Sequence, residues 1–172
     1  MSILILDTET TGLPSSEWAR VIELGAVVLH PHRDYAEINH FHTFMLPVEG
    51  VDDRADKALK HSGITREDLV GAPREGDARS AFYRWLAQHQ VTEVFSYNRV
   101  FDEGMLVRSG FTLPWAGCVM RMSRDRMPAR KKDPTLADAA KHFGVGVAEG
   151  LHRALPDARL AAQVFAAIRR GK

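Results

Sequence analysis

Apolar residues follow two rhythms along the chain. Ile3 to Leu6 is an apolar run broken off by Asp7 and Glu9, which predicts a short buried strand over Ile3 to Asp7. Arg20 to Leu29, rich in Val, Ile and Leu, predicts a second strand, and Phe41 to Leu46 a third. Gly12, Pro14, Ser15 and Ser16 mark the loop between the first two. Three strands so closely spaced suggest an antiparallel meander.

From Asp53 onward the spacing turns helical. Short helices are expected over Asp53 to Lys60 and from near Thr65, and a longer one over Gly76 to His89. In the last, Ala78, Ala81, Phe82, Trp85 and Leu86 keep the three-and-four spacing of one helix face. A fourth strand, Val94 to Tyr97, precedes a helix over Phe101 to Ser109 that turns Met105 and Leu106 inward and is capped by Gly110. Cys118 to Met120 reads as a short fifth strand, and helices are expected over Arg121 to Met127, Thr135 to Phe143 and Pro156 to Arg170. Gly144 and Gly146 punctuate the approach to the last helix. No repeat, low-complexity segment or linker divides the chain, so residues 1–172 are expected to form one α/β domain, a mixed sheet flanked by helices.

Composition narrows the class without choosing a function. The 172 residues are 45% hydrophobic and 26% charged, with a net charge of +1, so the bulk charge names no polyanionic partner. The single cysteine, Cys118, excludes a disulfide scaffold and a cysteine zinc site and fits a reducing, cytoplasmic setting. The opening apolar run is too short, and lacks the positive flank, for a signal peptide or a membrane span, and no other stretch approaches spanning length. No membrane partner is expected.

The candidate chemistry lies in carboxylates at element ends. Asp7 and Glu9 sit two apart on one face of the first strand, an arrangement that repels itself unless a cation lies between them. Taken alone, the pair reads sooner as a solvated strand end. Asp102 follows the fourth strand; if that strand lies beside the first, a third carboxylate reaches the same end, although an acid in a first helical turn has its own electrostatic rationale. Pro156 suits a first helical turn, which places Asp157 at the start of the last helix and His152 in the loop before it. Four carboxylates without a neutralising lysine suit hard divalent cations, Mg²⁺ or Mn²⁺, better than zinc.

Asp7-Thr8-Glu9-Thr10-Thr11-Gly12-Leu13, Asn98 to Asp102, and His152 to Asp157 together resemble the three motifs of the DEDDh, or DnaQ-like, 3′-to-5′ exonucleases. Ile22-Glu23-Leu24-Gly25-Ala26-Val27, His61-Ser62-Gly63-Ile64-Thr65 and Thr135-Leu136-Ala137-Asp138 extend the likeness over nearly the whole chain in family order. Tyr97, Arg99 and Pro156 depart from the usual pattern, but none of them replaces a metal-binding or proton-transferring group.

The resemblance implies a ribonuclease H-like fold, its five-stranded sheet opening with three antiparallel strands. It also implies two divalent ions, with Asp7 bridging both, Glu9 and Asp157 on the ion that carries the attacking water, Asp102 on the second, and His152 as general base. Thr8, Thr10, Thr11, Gly12 and Leu13 are then expected around the 3′-terminal nucleotide: backbone amides on its hydroxyl, Leu13 either on the end base or in the core. Asn98, Arg99 and Phe101 complete the substrate contacts, with Phe101 chiefly fixing Asp102 and Arg99 able to add a phosphate contact.

The basic run Arg121, Arg124, Arg126, Arg130, Lys131 and Lys132 is either a solvated face or a contact for the nucleic-acid backbone. With two ions bound, the net charge of +1 becomes about +5. The expected substrate is the 3′ end of single-stranded DNA, with an exoribonuclease or a non-catalytic polymerase accessory module as alternatives. Because the chain ends at Lys172, just past the last helix, a free-standing enzyme is favoured over a tethered proofreading subunit. A polymerase or homodimer partner stays open, since no dimerising apolar stripe is evident.

Overall fold

A computed structural model describes residues 1–128, 132–146 and 152–171. Its strands are β1 (Ser2–Thr10), β2 (Val21–His30), β3 (Ala36–Phe44), β4 (Val91–Ser96) and β5 (Trp115–Cys118). The helices are α1 (Asp56–Ser62), α2 (Glu75–Gln88), α3 (Arg99–Arg108), α4 (Val119–Arg124), α5 (Leu136–His142) and α6 (Ala154–Arg169), with short 3-10 turns at Pro31–Arg33, Asp53–Ala55 and Glu67–Leu69.

The sheet order is β3-β2-β1-β4-β5. β1 to β3 are antiparallel, as expected, and β4 and β5 join in parallel. β1 is therefore central, and alternation along it feeds two cores. Ile3 and Ile5 pack with Val27, Leu29, Val164 and Phe165 under α6. Leu4 and Leu6 pack with Leu24, Phe82, Met105 and Leu106 under α2 and α3. A strand buried on both faces reads as a continuous apolar run, and Ile3 to Leu6 is one.

Several boundaries differ from the sequence expectation. β3 starts at Ala36 rather than Phe41, because its first half is an exposed polar edge with weak alternation. Val119 and Met120 open α4 instead of ending β5, whose Gly117 lies where a Cβ would come within 2.7 Å of the Phe95 ring. α6 begins at Ala154, two residues before Pro156, which still falls in the tolerant first turn. Among the described residues no helix is long and apolar enough to cross a membrane.

Candidate functional site

Past Leu6, which pairs with Ser96, β4 no longer accompanies β1, while β2 stays alongside it to Thr10. The residues leaving the sheet here line a cavity of about 690 Å³. Asp7 and Glu9 continue the row of Ile3 and Ile5 and so face α6, which supplies Asp157. Oxygens of Asp7, Glu9 and Asp157 lie within 4.8 Å of one another.

Asp102 comes from the opposite face. It is 2% exposed on α3, and its Oδ1 accepts from both the Thr8 amide at 3.1 Å and the Thr8 hydroxyl at 2.8 Å. Thr8 continues the row of Leu4 and Leu6, toward α3. The four carboxylates thus converge at one strand end from two sides of the sheet, Asp102 standing outside the tight trio.

The close approach of α6 depends on Gly25. It pairs with Asp7, and a Cβ there would lie 2.2 Å from the Leu155 amide nitrogen. Only a residue without a side chain lets the first turn of α6 rest on β2 this near the site.

Confinement of like charges sets the electrostatics. Burial first, then the charges of Asp102, Glu9 and Asp157, hold Asp7 well above the usual carboxylate range. Burial, with Glu23, Asp157 and Asp102, pushes Glu9 up to about 7. Burial drives Asp102 to about 7 against the hydrogen bonds from Thr8. Asp157 is also raised by burial, and its Oδ1 is a buried oxygen without a hydrogen-bond partner among the described residues. Clustered, protonation-prone carboxylates with an orphaned oxygen are suited to a hard cation, which would supply the missing countercharge.

His152 stands at the rim, exposed, at φ +78°. Non-glycine residues rarely adopt that conformation. Its amide donates to Asp157 Oδ2 at 3.1 Å, and its ring lies 4.3 Å, centroid to centroid, from that of His61 on α1.

Thr8, Thr10, Thr11, Gly12, Leu13, Asn98 and Phe101 all line the cavity. Leu13 is 66% exposed, which removes the core alternative for it. The Thr8 and Thr11 amides are already engaged, by Asp102 and by the Arg20 carbonyl, and so are not open to a terminal hydroxyl. Phe101 is partly buried against the α2–α3 core beside Asp102. Arg99 departs from expectation: it is off the cavity lining, with Nε 2.7 Å from Glu103 and its guanidinium over Trp115. Tyr97 explains itself as a departure, since its buried hydroxyl bonds the carbonyls of Pro134 and Thr135 at the start of α5.

In the basic run, Arg124 is drawn to Asp133 at 3.0 Å, none of the described cations lines the cavity, and Arg130 and Lys131 lie outside the described residues. Among the described residues Arg54 and Lys57 line it instead, neither of them in a sequence motif. Their signal was faint: Lys57 and His61 stand four apart on one short helix, and Arg54 lies 4.9 Å over Trp18, another lining residue.

Residues 4–165 match the model of the RNase_T family, described as exonuclease. The DNA polymerase III subunit epsilon of Aquifex aeolicus is 27% identical over 172 residues, covering 95% of this chain and 78% of that protein. The nuclease domain of 3′hExo, a DEDDh family member, bound to rAMP, superposes with a TM-score of 0.78 at 18% identity, over 98% of this chain and 92% of that one. Escherichia coli exonuclease I in complex with a dT13 oligonucleotide gives 0.72 at 15% identity, over 98% of this chain and 41% of that one.

Proposed function

The chain belongs to the RNase_T exonuclease family, in its DEDDh, DnaQ-like group, and from that membership we propose that it hydrolyses single-stranded DNA from the 3′ end, releasing nucleoside 5′-monophosphates. The observation that carries the reading is the meeting of Asp7, Glu9 and Asp157 within 4.8 Å in a cavity rimmed by His152.

Asp7, Glu9 and Asp157, joined by Asp102, would hold Mg²⁺ or Mn²⁺. Bound there, two such ions would activate a water and stabilise the charge that develops on the leaving 3′-oxygen. His152 accepts the proton of the attacking water at a ring nitrogen, a part for which an imidazole is chemically suited. Exposure at the rim suits it, because the proton must afterwards pass to solvent. Asp157 orients His152 by accepting a hydrogen bond from its backbone amide, and Thr8 orients Asp102.

Leu13, projecting into the cavity mouth, packs against the terminal base, with Thr10, Gly12, Asn98 and Phe101 lining the space beside it. Thr8 and Thr11 shape that wall through their engaged amides. Lys57 and Arg54 give the cavity its positive side, suited to the backbone of the strand. Preference for DNA, and a role in proofreading or repair, draw support from the likeness to the polymerase subunit. An exoribonuclease is the second reading, favoured by the likeness to a nuclease domain bound to rAMP.

Labelled single-stranded DNA and RNA of one sequence, incubated with Mn²⁺ and separately with chelator, test both. Metal-dependent mononucleotide release with DNA the faster substrate is expected. Faster RNA cleavage moves the assignment to the second reading, and release of neither overturns both.

A further inference from the structure

Behind the site lies a buried acid that the reaction does not use. Glu23 is 1% exposed and pairs with Glu9 across the β1–β2 ladder, on the face toward α6. A fifth carboxylate beside four others is costly unless it is paired. Both its oxygens are taken. His42 Nε2 lies 2.6 Å from Oε1, Arg153 Nη2 donates to Oε1 at 3.0 Å and Nε to Oε2 at 3.1 Å, and the Ala154 amide donates to Oε2 at 3.1 Å.

These donors have a particular place in the chain. Arg153 directly follows His152 and caps α6, and Ala154 is the first residue of that helix. Two residues along β2 on the same face, Gly25 supplies the floor on which that first turn rests. Glu23 therefore grips the chain at the point where it passes from His152 into α6. Neither Glu23 nor Arg153 lines the cavity, and Glu23 is outside the carboxylate trio.

We propose that the Glu23–Arg153 pair is a positioning clamp that holds His152 in its left-handed turn over the carboxylates. The inference rests on the reading of His152 as proton acceptor. A scaffold with no such task would be served as well by an apolar pair, whereas the fork of Arg153 on a fixed carboxylate sets a direction as well as a contact. His152 is then restrained by the clamp, by its amide on Asp157 Oδ2 and by the ring of His61.

Glu23→Gln keeps the size of its group and Arg153→Lys the charge, and each weakens the fork. Each is expected to lower kcat on a single-stranded oligonucleotide by about 10–100-fold, with KM and Mn²⁺ affinity within about twofold of wild type. In a His152→Ala background, Glu23→Gln is expected to remove less than about twofold more, because its effect passes through the imidazole. Guanidinium added to Arg153→Ala is expected to restore part of kcat.

A readout without turnover accompanies these. The His152 amide is expected to lose protection from hydrogen exchange in Glu23→Gln by about tenfold while amides of β1 keep theirs. Unchanged kcat and unchanged His152 protection overturn the clamp, as does a loss that adds fully to that of His152→Ala. Loss of the cooperative unfolding transition in both conservative variants makes the pair plain scaffold and likewise overturns it. Failure of the exonuclease reading looks different: wild type and Asp7→Ala are then equally inert, while the exchange measurement still decides the clamp.

Discussion

Thr8 gives both its amide and its hydroxyl to one oxygen of Asp102, a residue 94 positions away in the chain. Hydrogen bonds to a charged acceptor contribute about 1.5–3 kcal/mol each, so the hydroxyl bond is a principal restraint on the carboxylate that arrives from the far side of the sheet. Thr8→Val is expected to destabilise the protein by about 1–3 kcal/mol in urea titration and to lower kcat, with Thr8→Ser recovering most of both. Equal activity in Thr8→Val and wild type would dissociate Asp102 from the reaction.

Metal binding and proton transfer are expected to separate by residue. His152→Ala should bind Mn²⁺ as wild type does while losing about 10²–10⁴-fold in kcat. Asp7→Ala should lose both binding and cleavage. Calorimetric titration beside mononucleotide release makes the comparison, and cleavage surviving in a clean Asp7→Ala preparation refutes the assignment of the site.

Gly25→Ala puts a methyl group 2.2 Å from the Leu155 amide nitrogen, backbone that no rotamer change can move aside. A shift of the α6 start is the expected response, at about 1–3 kcal/mol of stability. Because Asp157 travels with that turn, Mn²⁺ affinity should fall as well. A variant equal to wild type in both melting temperature and Mn²⁺ affinity would contradict the close approach.

Glu9 and Asp102 both stand at about 7 when folded, above the carboxylate range to which unfolding returns them. The folded chain therefore holds protons that the unfolded chain has released, and the stability these groups contribute is lost as pH rises through the interval from about 4 to about 7. In chelator, the melting temperature is expected to fall between about pH 5.5 and pH 8, and Glu9→Gln to flatten that fall. Mg²⁺ or Mn²⁺ should restore stability at the higher pH by binding the ionised cluster. A melting temperature that instead rises over the same range in chelator is the opposing result.

Lys57 lines the cavity from α1. If it meets one phosphate of a single strand, Lys57→Ala should weaken binding alike for all sequences and reduce the log–log salt slope by roughly 0.7. Fluorescence anisotropy at several salt concentrations reads this. An unaltered slope would assign Lys57 to the solvated surface.

Where local pattern and fold agree, the sequence alone sufficed. The apolar run Ile3 to Leu6 announces a central strand, the Asp7–Glu9 spacing puts two acids on one face, and Pro156 brings Asp157 into a first turn. What it hides is contact between distant segments. Asp102 reaches the strand end from the other side of the sheet, which depends on α3 packing over Leu4 and Leu6. Glu23 meets Arg153 across 130 positions, and nothing in either neighbourhood signals the other. The first half of β3 carries no strand signal because an exposed edge strand has little reason to alternate. Arg54 and Lys57 carry little signal in the sequence, because cations on short helical turns are ordinary until a cavity opens beside them.

The centrality of β1 has a consequence for how the site fails. Asp7 and Glu9 cannot leave their places without opening a ladder on which two cores depend. His152 is exposed and held by a few polar contacts. With His152 as the proposed proton acceptor, a small rearrangement there is expected to idle the enzyme while its fold and its carboxylates stay intact. Melting curves and turnover then measure different things: substitutions around His152 are expected to silence a protein that still melts like wild type, whereas substitutions of the apolar β1 residues Ile3 to Leu6 are expected to take structure and turnover together.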